Sequence, residues 1–250
     1  MRKFIHLTCV LFFASLTVNN NLFAQSVRAD SSSQQNALSS AINLFYASER
    51  NEAPLYNGPE YYFYDPTIKG NAYFSEVNAF TAGSVFYDGV LYNNVLMLYD
   101  LYKDKVVVLL YNHFSKFSLV DEKIKYFDFL GHHFINIDAD TVANKTEIKS
   151  GIYDELYLGK IQVLEKRVKN VQSNSVGLSG PESYFNFFKD YYLKKGRNYY
   201  KFSGQGALLD ILKDKKKELQ QYIRSNQIKF RKDPDDAMVK IATYYDRITN

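Results

Sequence analysis

From Gly83 onward the chain repeats one pattern. Apolar and aromatic runs of about five to eight residues are broken by short polar turns every eight to twelve residues. "GSVFYDGVLYNNVLMLYDLYKDKVVVLLYN" is divided at Asp88-Gly89, Asn93-Asn94 and Lys103-Asp104, and Asp-Gly between such runs predicts a two-residue hairpin. The runs KFSLV, IKYFDF, HHFINI, GIYDELYLG and KIQVLEKRV predict further strands. After a Ser/Asn/Gly-rich break over 172–183, YFNFFKDYYLKK and NYYKFS flank Gly196 as a last hairpin. No strand alternates with a helix long enough for a parallel βαβ unit. The pattern therefore predicts an antiparallel meander, folded as a sandwich, half-barrel or barrel.

Helical spacing occurs at both ends. Ala37, Leu38, Ala41, Ile42 and Phe45 predict one amphipathic helix that stops before Pro54. Between it and the β region, "YNGPEYYFYDP" (56–66) reads as a turn entering a short strand. Leu208, Leu209, Leu212, Leu219, Tyr222 and Ile223 share one face of a C-terminal helix, with Lys213, Lys215, Lys216 and Lys217 largely on the other. Asp233-Pro234 is an N-cap and N1 pair for a second helix through Ile248, with Met238, Ile241, Ala242 and Tyr245 as its apolar stripe. The expected class is α+β, mainly antiparallel β, with an N-terminal helix and two C-terminal helices.

The first residues do not belong to this fold. Arg2 and Lys3 precede an apolar run from Leu7 to Val18, a polar break and the small residue Ala24, which is the pattern of a signal peptide cleaved after residue 24. That run is shorter than the roughly 20 residues of a spanning helix. The expected organisation is signal peptide 1–24, flexible polar leader 25–36, β-rich body with its helix 37–203, and helical segment 204–250. Cys9, the only cysteine, lies in the signal peptide, so the remainder has no disulfide, thiol nucleophile or thiolate metal site. An exported chain without disulfides must be held by its core, and the hydrophobic fraction of 46% suffices for one.

Charge is unevenly placed. Residues 25–165 hold 11 Lys+Arg against 18 Asp+Glu, while residues 194–232 hold 12 against 3. A basic segment on an acidic body points to an anionic lipid surface or an acidic partner, or to an exposed helix face attracted to the body. Export argues against nucleic acid. Lys213, Lys216 and Lys217 mark the basic face.

The order LYNGPEY, GSVFYDGVLYNNVLMLYDLYKDKVVV, LVDEKIKYFDFLGHHFI, GIYDELYLGKIQVLEKRVKN and LKDKKKELQQYIRSNQIKFRKDPDDAMVKIATYYD resembles a group of exported proteins common in Bacteroidota. The resemblance spans nearly the whole chain after the leader. It implies export and supplies no catalytic residue. It also implies that Asp140-Thr141-Val142 matches a short O-glycosylation acceptor pattern, with Thr141 as acceptor.

Catalytic patterns are not evident. His132 and His133 fall on opposite faces of a strand, so they cannot readily share one ion. Asp138 and Asp140 begin like a calcium loop, but Val142, Ala143 and Lys149 stand where ligands and glycine belong. GLSGPES around Ser179 is not a nucleophile elbow. No phosphate-binding glycine pattern occurs, so no cofactor, metal or catalytic residue is assigned. What remains is aromatic: 22 Tyr and 19 Phe, with doublets at 61–62, 126–127, 191–192 and 199–200 that place one ring on each face of a sheet. Tyr61 and Phe63 are expected in the core, and Tyr62, Tyr64, Tyr192 and Tyr200 as contacts to a ligand or partner. The expected function is an exported, non-enzymatic envelope protein, periplasmic or associated with the outer membrane, that binds a protein or surface polymer. The alternative is a carrier of a hydrophobic ligand such as a lipid, and a hydrolase is third.

Overall fold

The Asp88-Gly89 turn forms as its sequence dictates. Both residues have positive φ, 51° and 82°, and Tyr87 pairs with Val90 across it. The computed structural model describes residues 54–141, 147–174 and 182–249, together with Ala37 and Ala41. The expected leader and most of the N-terminal helix lie outside these residues. Ala37 and Ala41 are helical and exposed.

Ten strands form one antiparallel sheet: β1 (Thr81–Tyr87), β2 (Val90–Asp100), β3 (Lys105–Leu109), β4 (Lys116–Ser118), β5 (Ile124–Phe129), β6 (His132–Ile137), β7 (Gly151–Leu158), β8 (Ile161–Asn174), β9 (Glu182–Lys195) and β10 (Asn198–Phe202). Their order is β10-β9-β8-β7-β6-β5-β1-β2-β3-β4. Three helices follow, α1 (Gln205–Ile211), α2 (Lys216–Ser225) and α3 (Pro234–Ile248). The α+β, mainly antiparallel class is therefore the observed one. The sheet does not close into a barrel, and the described strands all belong to it, so among the described residues no second sheet makes a sandwich.

It does curl. Tyr99 on β2 and Phe134 on β6 are three strand positions apart, which in a flat sheet is about 14 Å, yet their rings meet at 5.2 Å. Beyond them, the Lys169 N–H on β8 donates to the Leu101 carbonyl at the end of β2 (3.0 Å). The half-barrel describes this shape. Asn93-Asn94, expected as a turn, lies inside β2. Gly83 pairs with Val95 and Val85 with Tyr92, so Ser84 alone opposes the two asparagines. Asn94 takes φ of 55°, which asparagine tolerates, and the extra residue makes a bulge rather than a reversal.

The concave face carries two apolar cores. The first joins Val85, Tyr87, Met97, Tyr99, Val106, Val108, Phe127, Phe129 and Phe134, with Phe74 from the preceding loop. The second lies under the helices, where Ile161, Val163, Tyr191, Leu193 and Phe202 meet Leu208, Leu212, Leu219, Ile223, Met238, Ile241 and Tyr245. The expected stripe of α3 is thus its buried face, and Asp233 caps the helix by accepting from the Asp236 N–H at 3.1 Å. The preceding helix differs from expectation: it divides at Leu212 into α1 and α2, joined by a 3-10 turn, Lys213–Lys215. Asp214 pins that turn by accepting from Lys195 Nζ (2.6 Å) and the Tyr245 hydroxyl (2.9 Å).

Candidate functional site: an aromatic band beside β4

β4 is the last strand of the sheet, and an unpaired edge invites aggregation. The segment Pro59–Tyr61 covers it. The Ser118 N–H donates to the Pro59 carbonyl (2.9 Å), and the Tyr61 N–H donates to the Lys116 carbonyl (2.8 Å). Gly58 permits this approach, because a Cβ there would fall 1.8 Å from the Ser118 carbonyl oxygen. Only a bridge at Glu60 and Phe117 forms, so the expected short strand is an extended edge cover.

From this anchor the rings take opposite directions. Tyr61 is buried over Leu98 and Val107 on the convex face, with Ala72 and Tyr73. Its hydroxyl donates to Asp100 Oδ2 at 2.8 Å, and the Tyr64 hydroxyl donates to the same oxygen at 2.6 Å. Asp100 Oδ1 accepts from the backbone N–H groups of Tyr102 (2.9 Å) and Lys103 (3.0 Å). Four donors thus satisfy a fully buried carboxylate. Burial above all, with the Tyr73 hydroxyl and the Asp100 carboxylate beside it, pushes the Tyr61 phenol well above its ordinary range. Burial and then the Asp100 hydrogen bond do the same for Tyr64. Both phenols therefore stay protonated and keep donating.

Outside this hub the rings are open to solvent. Tyr62 is 68% exposed, Phe63 51% and Phe114 78%, and Tyr102 and Tyr111 are also exposed. Lys116 Nζ bridges the rings of Phe63 (5.0 Å) and Phe114 (5.4 Å), and Lys103 Nζ lies over Tyr61 (4.7 Å) and Tyr64 (4.8 Å). Tyr64 packs edge-on to Tyr102 and Phe185 at 5.5 and 5.2 Å. The result is one band of rings and ammonium groups that runs from Phe114 to Phe185.

Of the residues singled out in the sequence, Tyr62 is exposed with its hydroxyl donating to Glu60 Oε2 (2.6 Å), and Tyr64 is half-buried within the band. Phe63, expected in the core, is exposed, because the edge cover ends at Tyr61 and leaves the next residues without a strand to pack on. Tyr192 is buried on the convex face with Tyr153, Leu164 and Tyr199, covered by Ile148. Tyr200 is exposed, but on β10 at the far edge of the sheet. Lys213 and Lys217 are exposed on the helical segment, and Lys216 is paired with Asp210 at 2.5 Å. Thr141 ends a 3-10 turn, Ala139–Thr141, and its side chain lies outside the described residues.

A second polar cluster was not legible in the sequence. Between the two concave cores, the Asp154–Glu165 and Arg167–Lys189 strand pairs bring four charges together. Arg167 Nη2 reaches Glu165 Oε2 (2.6 Å) and Asp154 Oδ2 (2.9 Å), and its guanidinium lies 5.0 Å over the Phe74 ring. Asp235, in the first turn of α3, accepts from the Tyr191 hydroxyl (2.7 Å) and Lys189 Nζ (3.1 Å). The belt thereby ties α3 to the sheet. Lys189 Nζ stands 3.2 Å from Glu165 Oε1 without a hydrogen bond, so that oxygen is buried with charge attraction alone. Burial, reinforced by Asp235 and offset by Arg167 and Lys189, raises the Glu165 pKa.

The histidines have separate partners on opposite faces. His132 Nδ1 meets Asp154 Oδ2 and His133 Nδ1 meets Asp128 Oδ1, each at 2.7 Å. Asp138 Oδ1 accepts from the Asp140 N–H at 3.0 Å, which makes the pair a turn. Among the described residues, no group of three or more His, Asp or Glu side chains is placed to hold a metal ion, and no helix is long and apolar enough to cross a membrane. No protein-family model, curated protein or solved structure matches the chain. Sequence reasoning missed Asp100, Lys103, Phe114 and Lys116. Asp100 had left a signal, a lone acid inside the aromatic and aliphatic run VLMLYDLY.

Proposed function

We propose that this is an exported envelope protein whose aromatic band docks a protein partner. One observation carries the reading: Phe63 and Phe114 are exposed on either side of Lys116, next to a scaffold fixed by the Asp100 hub, and Tyr62 is exposed beside Phe63 in the chain. Rigid aromatic anchors with cations between them are the composition of interface hot spots. Phe63 and Phe114 carry no hydroxyl to share with a sugar, which favours a protein over a surface polymer. Export rests on residues 1–24 and on the resemblance, and the expected N-terminus of protein taken from the envelope is Gln25.

Because Cys9 is the only native cysteine, single cysteines can report the surface. Cross-linkers at Tyr62→Cys and Phe114→Cys are expected to capture the same envelope protein, while Leu158→Cys, an equally exposed site on β7, does not. Unlabelled wild-type protein should compete for the capture, and a Phe63→Ala/Phe114→Ala variant should not. Equal capture from Leu158→Cys, or equal competition by that variant, would sink the reading.

A further inference from the structure

The joint between α2 and α3 forms one wall of a cleft of about 930 Å³. Ile228, Lys229, Phe230, Arg231 and Lys232 supply that wall, and Ser203 to Gly206 together with Lys189 and Tyr191 on β9 also line the cleft. Four cations line it and no acid does. The nearest acids along the chain are engaged elsewhere: Asp233 caps α3, Asp235 holds Tyr191 and Lys189, and Asp236 pairs with Lys240. Lys189 is committed to the buried belt, but Lys229, Arg231 and Lys232 form no ion pair among the described residues. Tyr191, Ile228, Phe230 and Pro234 give the same cleft apolar surface.

Unpaired cations beside apolar rings match an amphiphile with an anionic head. A free phosphate would make no use of the apolar wall. We propose that this cleft seats the headgroup of an anionic phospholipid presented by a membrane, with Lys229, Arg231 and Lys232 supplying the charge and Phe230 and Ile228 meeting the first carbons of the chains. The cleft shares no residue with the aromatic band.

Gly206 makes the test clean. A Cβ at this position meets nothing within 4 Å, so Gly206→Trp starts from open space, adds bulk to the cleft lining and leaves the charge unchanged. The full chain would be sedimented with vesicles of phosphatidylglycerol in phosphatidylcholine, and with phosphatidylcholine alone. Every variant carries the same first 24 residues, so differences between variants report the cleft. The Lys229→Gln/Arg231→Gln/Lys232→Gln variant is expected to lose on the order of 100-fold in partitioning to the anionic vesicles, since each cation near such a surface is worth about five-fold. Gly206→Trp should lose more than about five-fold, the worth of one cation. Thermal unfolding checks that both variants fold. Wild-type partitioning by either folded variant overturns the proposal. So does an equal loss on neutralising Lys213, Lys216 and Lys217, which would mean diffuse attraction. Retention on polyglutamate with no vesicle preference also overturns it, and makes an acidic protein segment the occupant.

Discussion

Tyr61-Tyr62 and Tyr191-Tyr192 are the same dipeptide, each beside a β-pairing, and they meet different fates. In the first, one ring is 2% exposed and the other 68%. In the second both are buried, at 7% and 5%. Alternation separates the rings in both places. What differs is whether each face is covered. At β9 the helices lie on one face, and the loop carrying Ile148 lies on the other. At β4 the chain has only its own edge cover and the Lys116 ammonium to offer, and Tyr62, Phe63 and Phe114 stay more than half exposed. A two-faced aromatic pair therefore leaves a ring open to solvent only where one of its faces has no cover.

Substitutions sharpen that contrast. Tyr192→Ala empties a closed site and is expected to cost about 3–5 kcal/mol in urea unfolding; a cost below about 1 kcal/mol would mean that the site is not packed. Next comes the hub beneath the exposed band. Asp100→Ala leaves two phenols and two backbone N–H groups without an acceptor, at about 3 kcal/mol. Asp100→Asn keeps the oxygen for the backbone and lets a phenol accept instead, at about 1 kcal/mol. Equal losses for the two would show that the hub does not depend on its acceptors.

The pH response tests the covered region. Glu165 has a folded pKa above its ordinary 4.5, so the folded state takes up the proton more readily than the unfolded state. Its contribution to stability is complete below 4.5 and declines as pH rises through the raised value. Thermal unfolding from pH 4 to 7 should therefore show a decline in the wild type that Glu165→Gln reduces; parallel curves would refute the assignment. The smallest expected effect is on the exposed ring. Tyr62→Ala should change stability by less than about 0.5 kcal/mol, and a larger loss would place Tyr62 in the packing rather than on the contact surface.

Much of the sheet was legible because its signals are local. Asp88-Gly89 fixes a hairpin by its own φ preferences, IKYFDF and HHFINI bound β5 and β6 by alternation, and Asp233-Pro234 starts α3 with a side-chain cap. The Asn93-Asn94 bulge was misread because a turn and a bulge need the same left-handed residue. Only the partner strand decides between them. Phe63 was misread because alternation tells which way a ring points and not what lies there.

By itself the sequence determined the strands, most of their turns, the last helix and the uneven placement of charge, since each follows from neighbours a few residues apart. The tertiary structure decided the rest. It brought Asp100 to Tyr61 across 39 residues, Arg167 to Asp235 and Phe74, and Lys229, Arg231 and Lys232 to Tyr191. These groups lie far apart along the chain, and the curl of the sheet and the seating of the helices bring them together. Both sites proposed here depend on that long-range closure.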